Sequence, residues 1–250
     1  MMDIRGKVAV VTGGAAGFGL RIVEELAEAG ASVAAFDIDK AALDALTGRL
    51  PDVQTVVCDV SDPNAVEKAV AEVIERTGRI DILVNNAGIM KSAPLINLLA
   101  REDRRHSTGL WRKVIDVNLS SVFYMTANVA DHMLRRRIKG VIVNISSIAA
   151  HGNAGQSAYA ASKAGVEALT KVWAKELGRF GVRCAAVAPG FADTNGTADA
   201  LEQEVLDRWV AQIPLRRLAT PDEICESVLF IIRNDFLNGA VIPIDGGLVV

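Results

Sequence analysis

Short runs of β-branched and small apolar residues recur along the chain, separated by stretches patterned for helices. The runs fall at Lys7–Thr12, Ser32–Phe36, Thr55–Cys58, Ile82–Val84, Val141–Ile145, Val182–Val187 and Ala240–Ile244. Most are apolar on both faces, as strands covered by helices on either side must be. Between Arg21 and Glu28, the apolar Ile22, Val23, Leu26 and Ala27 share one helical face, and Arg21, Glu24, Glu25 and Glu28 take the remainder. Asp62-Pro63 reads as an N-cap followed by proline at the first helical position. Thr220-Pro221-Asp222-Glu223 repeats that logic with glutamate at the third position, a capping box. Strand and helix taking turns throughout predict a doubly wound α/β fold, a parallel sheet of about seven strands with helices on both faces. The β-branched runs exclude an all-α bundle.

Composition fits one domain. Half of the 250 residues are hydrophobic and 23% are charged, enough to bury roughly three quarters of the unfolded surface without a disulfide or metal. No linker-like stretch divides residues 1–250. Lys and Arg total 27 against 30 Asp and Glu, so 27 − 30 leaves −3. A nucleic-acid or anionic-membrane binder needs a basic surplus, so neither partner is expected. Cys58, Cys184 and Cys225 are odd in number and widely spaced, which points to a reducing compartment with neither a disulfide framework nor a metal site. The N-terminus lacks a signal-peptide core, and no uncharged run of about 18 apolar residues appears. A cytoplasmic setting is expected.

The first strand runs into Thr12-Gly13-Gly14-Ala15-Ala16-Gly17-Phe18-Gly19 and then directly into a helix. Glycines allow a tight turn and a close backbone approach to a ligand, and the helix N-terminus favours a pyrophosphate. The spacing differs from the general G-x-G-x-x-G fingerprint. Asp37 ends the second strand, 20 residues after Gly17. A carboxylate there accepts from ribose hydroxyls and repels a 2′-phosphate, so NAD is the expected cofactor; the alternative is a helix cap before Ile38-Asp39. Farther on, Tyr159 and Lys163 stand at i and i+4 of one helix, and Ser146 lies 13 residues before the tyrosine. A phenol needs a nearby positive charge to act as a base near neutral pH, and Lys163 is placed to supply one. Ser146 is placed to hydrogen-bond the substrate oxygen.

With these residues in place, the chain resembles the short-chain dehydrogenase/reductases over essentially its whole length. The matching motifs are the glycine turn, Asn85-Asn86-Ala87-Gly88, Asn118 within Val117-Asn118-Leu119, Ser146, Tyr159/Lys163 and Pro189-Gly190. The resemblance implies a Rossmann-type sheet. It makes Tyr159 the general acid/base, Lys163 its tuner and the holder of the nicotinamide ribose, Ser146 the substrate-orienting group, and Asn118 the holder of a relay water. It assigns cofactor contacts to Gly13, Gly17, Phe18, Gly19, Asp37, Ile38, Asp59, Val60, Asn86, Ala87, Gly88, Tyr159, Lys163, Pro189, Gly190 and Thr194. His151, Asn153, Gln156 and Phe191 become candidate substrate contacts, and residues 191–211 a lid with Ala192, Thr197, Leu201 and Val205 facing inward. No metal ligand is implied. Asp245-Gly246-Gly247 is similar to a segment packed between subunits, so a homotetramer is expected.

A charged insertion near 97–110 departs from the family pattern and reads either as a solvated loop or as a border of the substrate entrance. Arg135-Arg136-Arg137 with Lys139 reads either as helix-dipole neutralisation or as a dock for an acidic carrier protein. The leading expectation is an NAD-dependent oxidoreductase acting on a secondary alcohol or ketone, such as a sugar or polyol. The alternative is a 3-oxoacyl-thioester reductase, because residues 152–156 and 188–191 look like the 3-oxoacyl-carrier-protein reductases, which generally use NADP. An epimerase or dehydratase of the extended branch would carry a larger C-terminal domain. A non-catalytic dinucleotide sensor would have no need of Ser146, Tyr159 and Lys163 together.

Overall fold

A computed structural model describes residues 1–193 and 203–248, with side chains in the second stretch from Arg208 onward. Every predicted strand forms. β1 (Val8–Thr12), β2 (Ser32–Asp37), β3 (Gln54–Val57), β4 (Ile82–Asn85), β5 (Val141–Ile145), β6 (Arg183–Pro189) and β7 (Val241–Ile244) make one sheet in the order 3-2-1-4-5-6-7. All pairings are parallel. Strand order reverses between β1 and β4, which opens a crevice at their carboxyl ends, where ligands of such sheets bind.

Helices cover both faces. α1 (Gly17–Glu28), α2 (Lys40–Arg49) and α8 (Pro221–Arg233) bury Ile22, Val23, Leu26, Leu43 and Val228 against one set of strand residues. α3 (Pro63–Thr77), α5 (Ser121–Arg136) and α6 (Ser157–Gly178) bury Val66, Val70, Met125, Val129 and Val166 against the other. Side chains alternating along each strand feed the two cores in turn, which is why the strand sequences are apolar throughout. The expected caps are present. Asp62 accepts from the Asn64 N–H ahead of Pro63, and Thr220 and Glu223 form the reciprocal capping box. No helix among the described residues is long and apolar enough to cross a membrane.

The insertion is a hairpin. The Asn97 N–H donates to Arg104 O at 2.7 Å, the His106 N–H donates to Leu95 O at 2.9 Å, and Asp103 pairs with Arg105. Ser107 then caps α4 (Thr108–Ile115). α4 passes through one π turn (Asp116–Ser120) into α5. α7 (Gln203–Gln212) lies in the expected lid. Thr194, Thr197 and Leu201 fall outside the described residues, as does the side chain of Val205. Ala192, expected to face inward, is buried and bridges to Ala219.

Candidate active site

The glycine turn is built by close contacts. Gly13 has φ +62°, and an added Cβ would sit 3.0 Å from Ala87 Cα, where the turn meets the loop after β4. An added Cβ at Gly19 would fall 1.9 Å from Gly13 O, so Gly19 lets α1 start directly against the turn. Thr12, the first residue of the glycine turn and given no separate role by the sequence, ties the two loops together. Its Oγ1 accepts from the N–H groups of Asn86 and Ala87, both at 3.0 Å. Asn86 Nδ2 donates to Thr12 O and Gly13 O. Gly17 differs: its φ is +54° and nothing lies within 4 Å of an added Cβ. Beside it, the N-cap of α1 is Ala16, which offers no side-chain cap, and the first turn holds no acidic residue. Free helix N–H groups facing open space suit a pyrophosphate, so these residues fit a dinucleotide.

Asp37 stands half-buried at the end of β2. Its carboxylate accepts from the Ala15 N–H at 3.1 Å and the Asp39 N–H at 3.0 Å. The helix cap of α2 is Asp39, not Asp37. Asp37 thus braces the glycine turn and keeps lone pairs for further donors. Ile38 is exposed beside it, while Phe18 packs on the core. Asp59 accepts from the Ser61 N–H and hydroxyl, and Val60 is buried.

The other candidate groups converge where β5, the π turn and α6 meet. Lys163 Nζ donates to Ile145 O at 2.7 Å and stands 5.8 Å from the centroid of the Tyr159 ring. Gly88 lies alongside, where a Cβ would be 3.3 Å from Asn118 Oδ1 and 3.6 Å from Lys163 Nζ. Asn118 is fully buried on the π turn, a geometry common at functional sites. Both ends of its amide are engaged with Ile89: Oδ1 accepts from the N–H at 2.8 Å, and Nδ2 donates to the carbonyl at 3.0 Å.

One residue expected here points elsewhere. Ser146 Oγ donates to Glu167 Oε1 at 3.1 Å and approaches Lys163 O at 3.3 Å, away from the phenol. The hydroxyl bonded to Tyr159 belongs to Ser147. Neighbouring residues at the end of an extended strand face opposite sides, so a shift of one position exchanges the inward and outward groups. Burial outweighs the acidification of the phenol expected from Lys163. Burial pushes the Tyr159 pKa up, with the Ser147 hydrogen bond acting in the other direction. Burial pushes the Lys163 ammonium down to about 8. At neutral pH the phenol therefore keeps its proton.

A family model described as enoyl-(acyl carrier protein) reductase matches residues 13–249. The chain belongs to the short-chain dehydrogenase/reductases. It is 41% identical to 3-oxoacyl-[acyl-carrier-protein] reductase FabG of Thermotoga maritima over 256 aligned residues, which cover 100% of both chains. It is 37% identical to (2S)-[(R)-hydroxy(phenyl)methyl]succinyl-CoA dehydrogenase subunit BbsD of Thauera aromatica, with 98% of each covered. The solved structure of gox2181 superposes with a TM-score of 0.89 at 38% identity, covering 98% of this chain and 97% of that one. As a short-chain dehydrogenase/reductase, the protein is an oxidoreductase of CH–OH groups that binds a nicotinamide cofactor.

Within this short-chain dehydrogenase/reductase the substrate-side candidates separate. Asn153 Nδ2 donates to Gln156 Oε1, Gln156 Nε2 donates to Ser92 Oγ, and the Ala93 N–H donates to Gly155 O at 2.7 Å. These bonds anchor the hairpin's base to the loop that precedes Tyr159. His151 is exposed on a short 3₁₀ turn, Ile148–His151. Phe191 packs against Trp209, with ring centroids 5.0 Å apart, in a small cluster with Ile148, Ile213 and Leu248. That packing makes it part of the floor beneath α7. Gly190 follows Pro189 where an added Cβ would lie 2.9 Å from Asp245 Cα, so close packing requires it. The thiols take no part in this chemistry: burial pushes Cys58 up to about 11 and Cys184 and Cys225 up to about 12.

Proposed function

We propose that the protein reduces 3-oxoacyl thioesters to 3-hydroxyacyl thioesters, with Tyr159 as proton donor. What carries the reading is the protonated Tyr159–Ser147 pair in a chain 41% identical, end to end, to a relative named for 3-oxoacyl reduction. The sugar or polyol substrate expected at first gives way to this alternative, because the relatives described above are named for acyl-thioester chemistry. When bound, the nicotinamide supplies the hydride. Tyr159 gives its proton to the ketone oxygen as that oxygen gains charge, and the Ser147 hydroxyl supplies a second hydrogen bond there. The Lys163 ammonium, held by Ile145 O, stabilises the phenolate left behind. Asn118 fixes the chain at Ile89, beside the lysine.

A basic cleft stands apart from this chemistry. Arg135 pairs with Asp131, but Arg136, Arg137 and Lys139 join Lys7 and Arg79 around an open cleft of about 440 Å³. It lies at the amino ends of β1, β4 and β5, opposite the crevice, and Asp81 pairs there with Lys7 and Arg79, so a carrier seated in it would hold its thioester on the far side of the sheet from Tyr159. The test is a comparison of kcat/KM for acetoacetyl thioesters of pantetheine, coenzyme A and carrier protein with that for a six-carbon polyol. The proposal expects the thioesters to be preferred by at least about a hundredfold. A polyol preference overturns it.

Two further results are expected of the same site. Asp37 favours NAD by repelling a 2′-phosphate. Asp37→Asn keeps an acceptor for the Ala15 N–H but loses the charge, and the NADH:NADPH ratio of kcat/KM is expected to fall about tenfold. An unchanged ratio would remove Asp37 from cofactor choice. The Lys163 charge is present below about pH 8 and lost above it. Reductive kcat/KM therefore declines above that pH. In Lys163→Arg, whose guanidinium stays charged, the overall rate is lower but the decline near pH 8 disappears.

A further inference from the structure

We infer that Glu167 is a positioning residue for this reaction, acting through Ser146 to hold Lys163 and Ser147 in register; the inference rests on the ketoreductase reading above. Glu167 lies one helical turn beyond Lys163 on α6 and is 7% exposed. Its carboxylate accepts from the hydroxyl of Ser146, itself 2% exposed, at 3.1 Å. A buried carboxylate facing a single hydroxyl is costly, and an apolar residue of the same length would pack there at lower cost. Packing alone does not account for glutamate at this position.

The hydrogen-bond pattern does. Lys163 Nζ reaches forward to Ile145 O at 2.7 Å, and Ser146 Oγ reaches back toward Lys163 O at 3.3 Å. The lysine is thus held at both its backbone and its ammonium by two consecutive residues of one strand end. The next residue, Ser147, bonds the Tyr159 phenol. With one proton to donate, the Ser146 hydroxyl is shared between Glu167 Oε1 and Lys163 O, and the carboxylate fixes its orientation. Six residues are tied together along one strand end and one helix: Glu167 sets Ser146, Ser146 and Ile145 set Lys163, and Ser147 sets Tyr159. Replacing the carboxylate by an apolar group frees the hydroxyl to rotate and lets the strand end shift against α6. A small misplacement of reacting groups is enough to slow the chemical step.

The measurements are made on the full-length enzyme with acetoacetyl-pantetheine and its reduced nicotinamide cofactor. Glu167→Met, matched in length and apolar, is expected to keep or raise Tm, keep KM within about twofold and lower kcat about tenfold. Glu167→Gln, which retains an acceptor oxygen, is expected to stay within about threefold of the parent kcat. Ser146→Ala is expected to lower kcat about tenfold, and Ser146→Ala with Glu167→Met no further, because both remove the same link. The lysine-dependent decline near pH 8 is expected to shift in Glu167→Met. Parent kcat in Glu167→Met, or additive losses in the double variant, would overturn the inference. If Glu167→Met does not fold, Ser146→Ala decides, and parent kcat there overturns it. A parent enzyme that reduces no 3-oxoacyl thioester contradicts the functional reading instead; the Tm values and the pH-dependent part then transfer to whichever ketone it does reduce.

Discussion

Tyr159→Phe is expected to lower kcat for ketone reduction by about a thousandfold while leaving KM and cofactor affinity within about threefold. The substitution removes one oxygen from a half-buried side chain and leaves its ring in place over Lys163. That oxygen holds the proton the ketone needs, since burial keeps the phenol protonated at neutral pH. The neighbouring polar groups are otherwise placed: the Ser147 hydroxyl is bonded to the phenol itself, Asn118 is engaged with Ile89, and His151 is exposed at the end of a 3₁₀ turn. The fall should appear in kcat and kcat/KM alike, the mark of an interaction made only in the transition state. A variant that binds cofactor normally and keeps full turnover would show that the proton comes from elsewhere.

The second large effect separates two adjacent serines. Ser147→Ala is expected to cost about a hundredfold in kcat, the scale of losing one donor at a developing oxyanion, whereas Ser146→Ala costs about tenfold. Ser147 touches the phenol, and Ser146 faces Glu167 on the other side of the strand end. Steady-state kinetics of the two alanine variants, with Tm as a control on folding, distinguishes them. The reverse order of effects would restore Ser146 to the role first expected of it.

The same pair shows where the sequence was legible and where it stopped. Strand and helix positions follow from side-chain period, and every expected strand was found because apolar runs between helices have one stable arrangement. The caps at Asp62 and Thr220 were equally readable, being local chemistry. Counting back from Tyr159 reached Ser146, whose hydroxyl bonds Glu167, while the hydroxyl bonded to the phenol is that of the next residue, Ser147. The intervening 3₁₀ turn and the tight Gly152 and Gly155 backbone absorb a residue without leaving a periodic signal. Gly19 could be expected under a pyrophosphate, but its steric reason, 1.9 Å from Gly13 O, exists only once the turn closes. Thr12 carried no motif of its own, because its role is to accept from a loop more than seventy residues away. The insertion read as a solvated loop or an entrance border; backbone bonds across it pair it into a hairpin, and the Asn97 and Asp103 side chains each close a local turn by accepting from the N–H two residues on. Its Leu98 and Leu99 remain exposed, Leu99 at 94%.

The central claim is that a ketone, and not a carbon–carbon double bond, is reduced beside Tyr159 on an acyl thioester. The family model's description names enoyl reduction, and the T. maritima relative's name describes 3-oxoacyl reduction. Product analysis by NMR of parallel reactions with acetoacetyl- and crotonyl-pantetheine, each with reduced nicotinamide cofactor, separates the two most directly. The account predicts 3-hydroxybutyryl-pantetheine from the first and no conversion of the second. Butyryl-pantetheine formed from crotonyl-pantetheine, with the acetoacetyl thioester left intact, would contradict it.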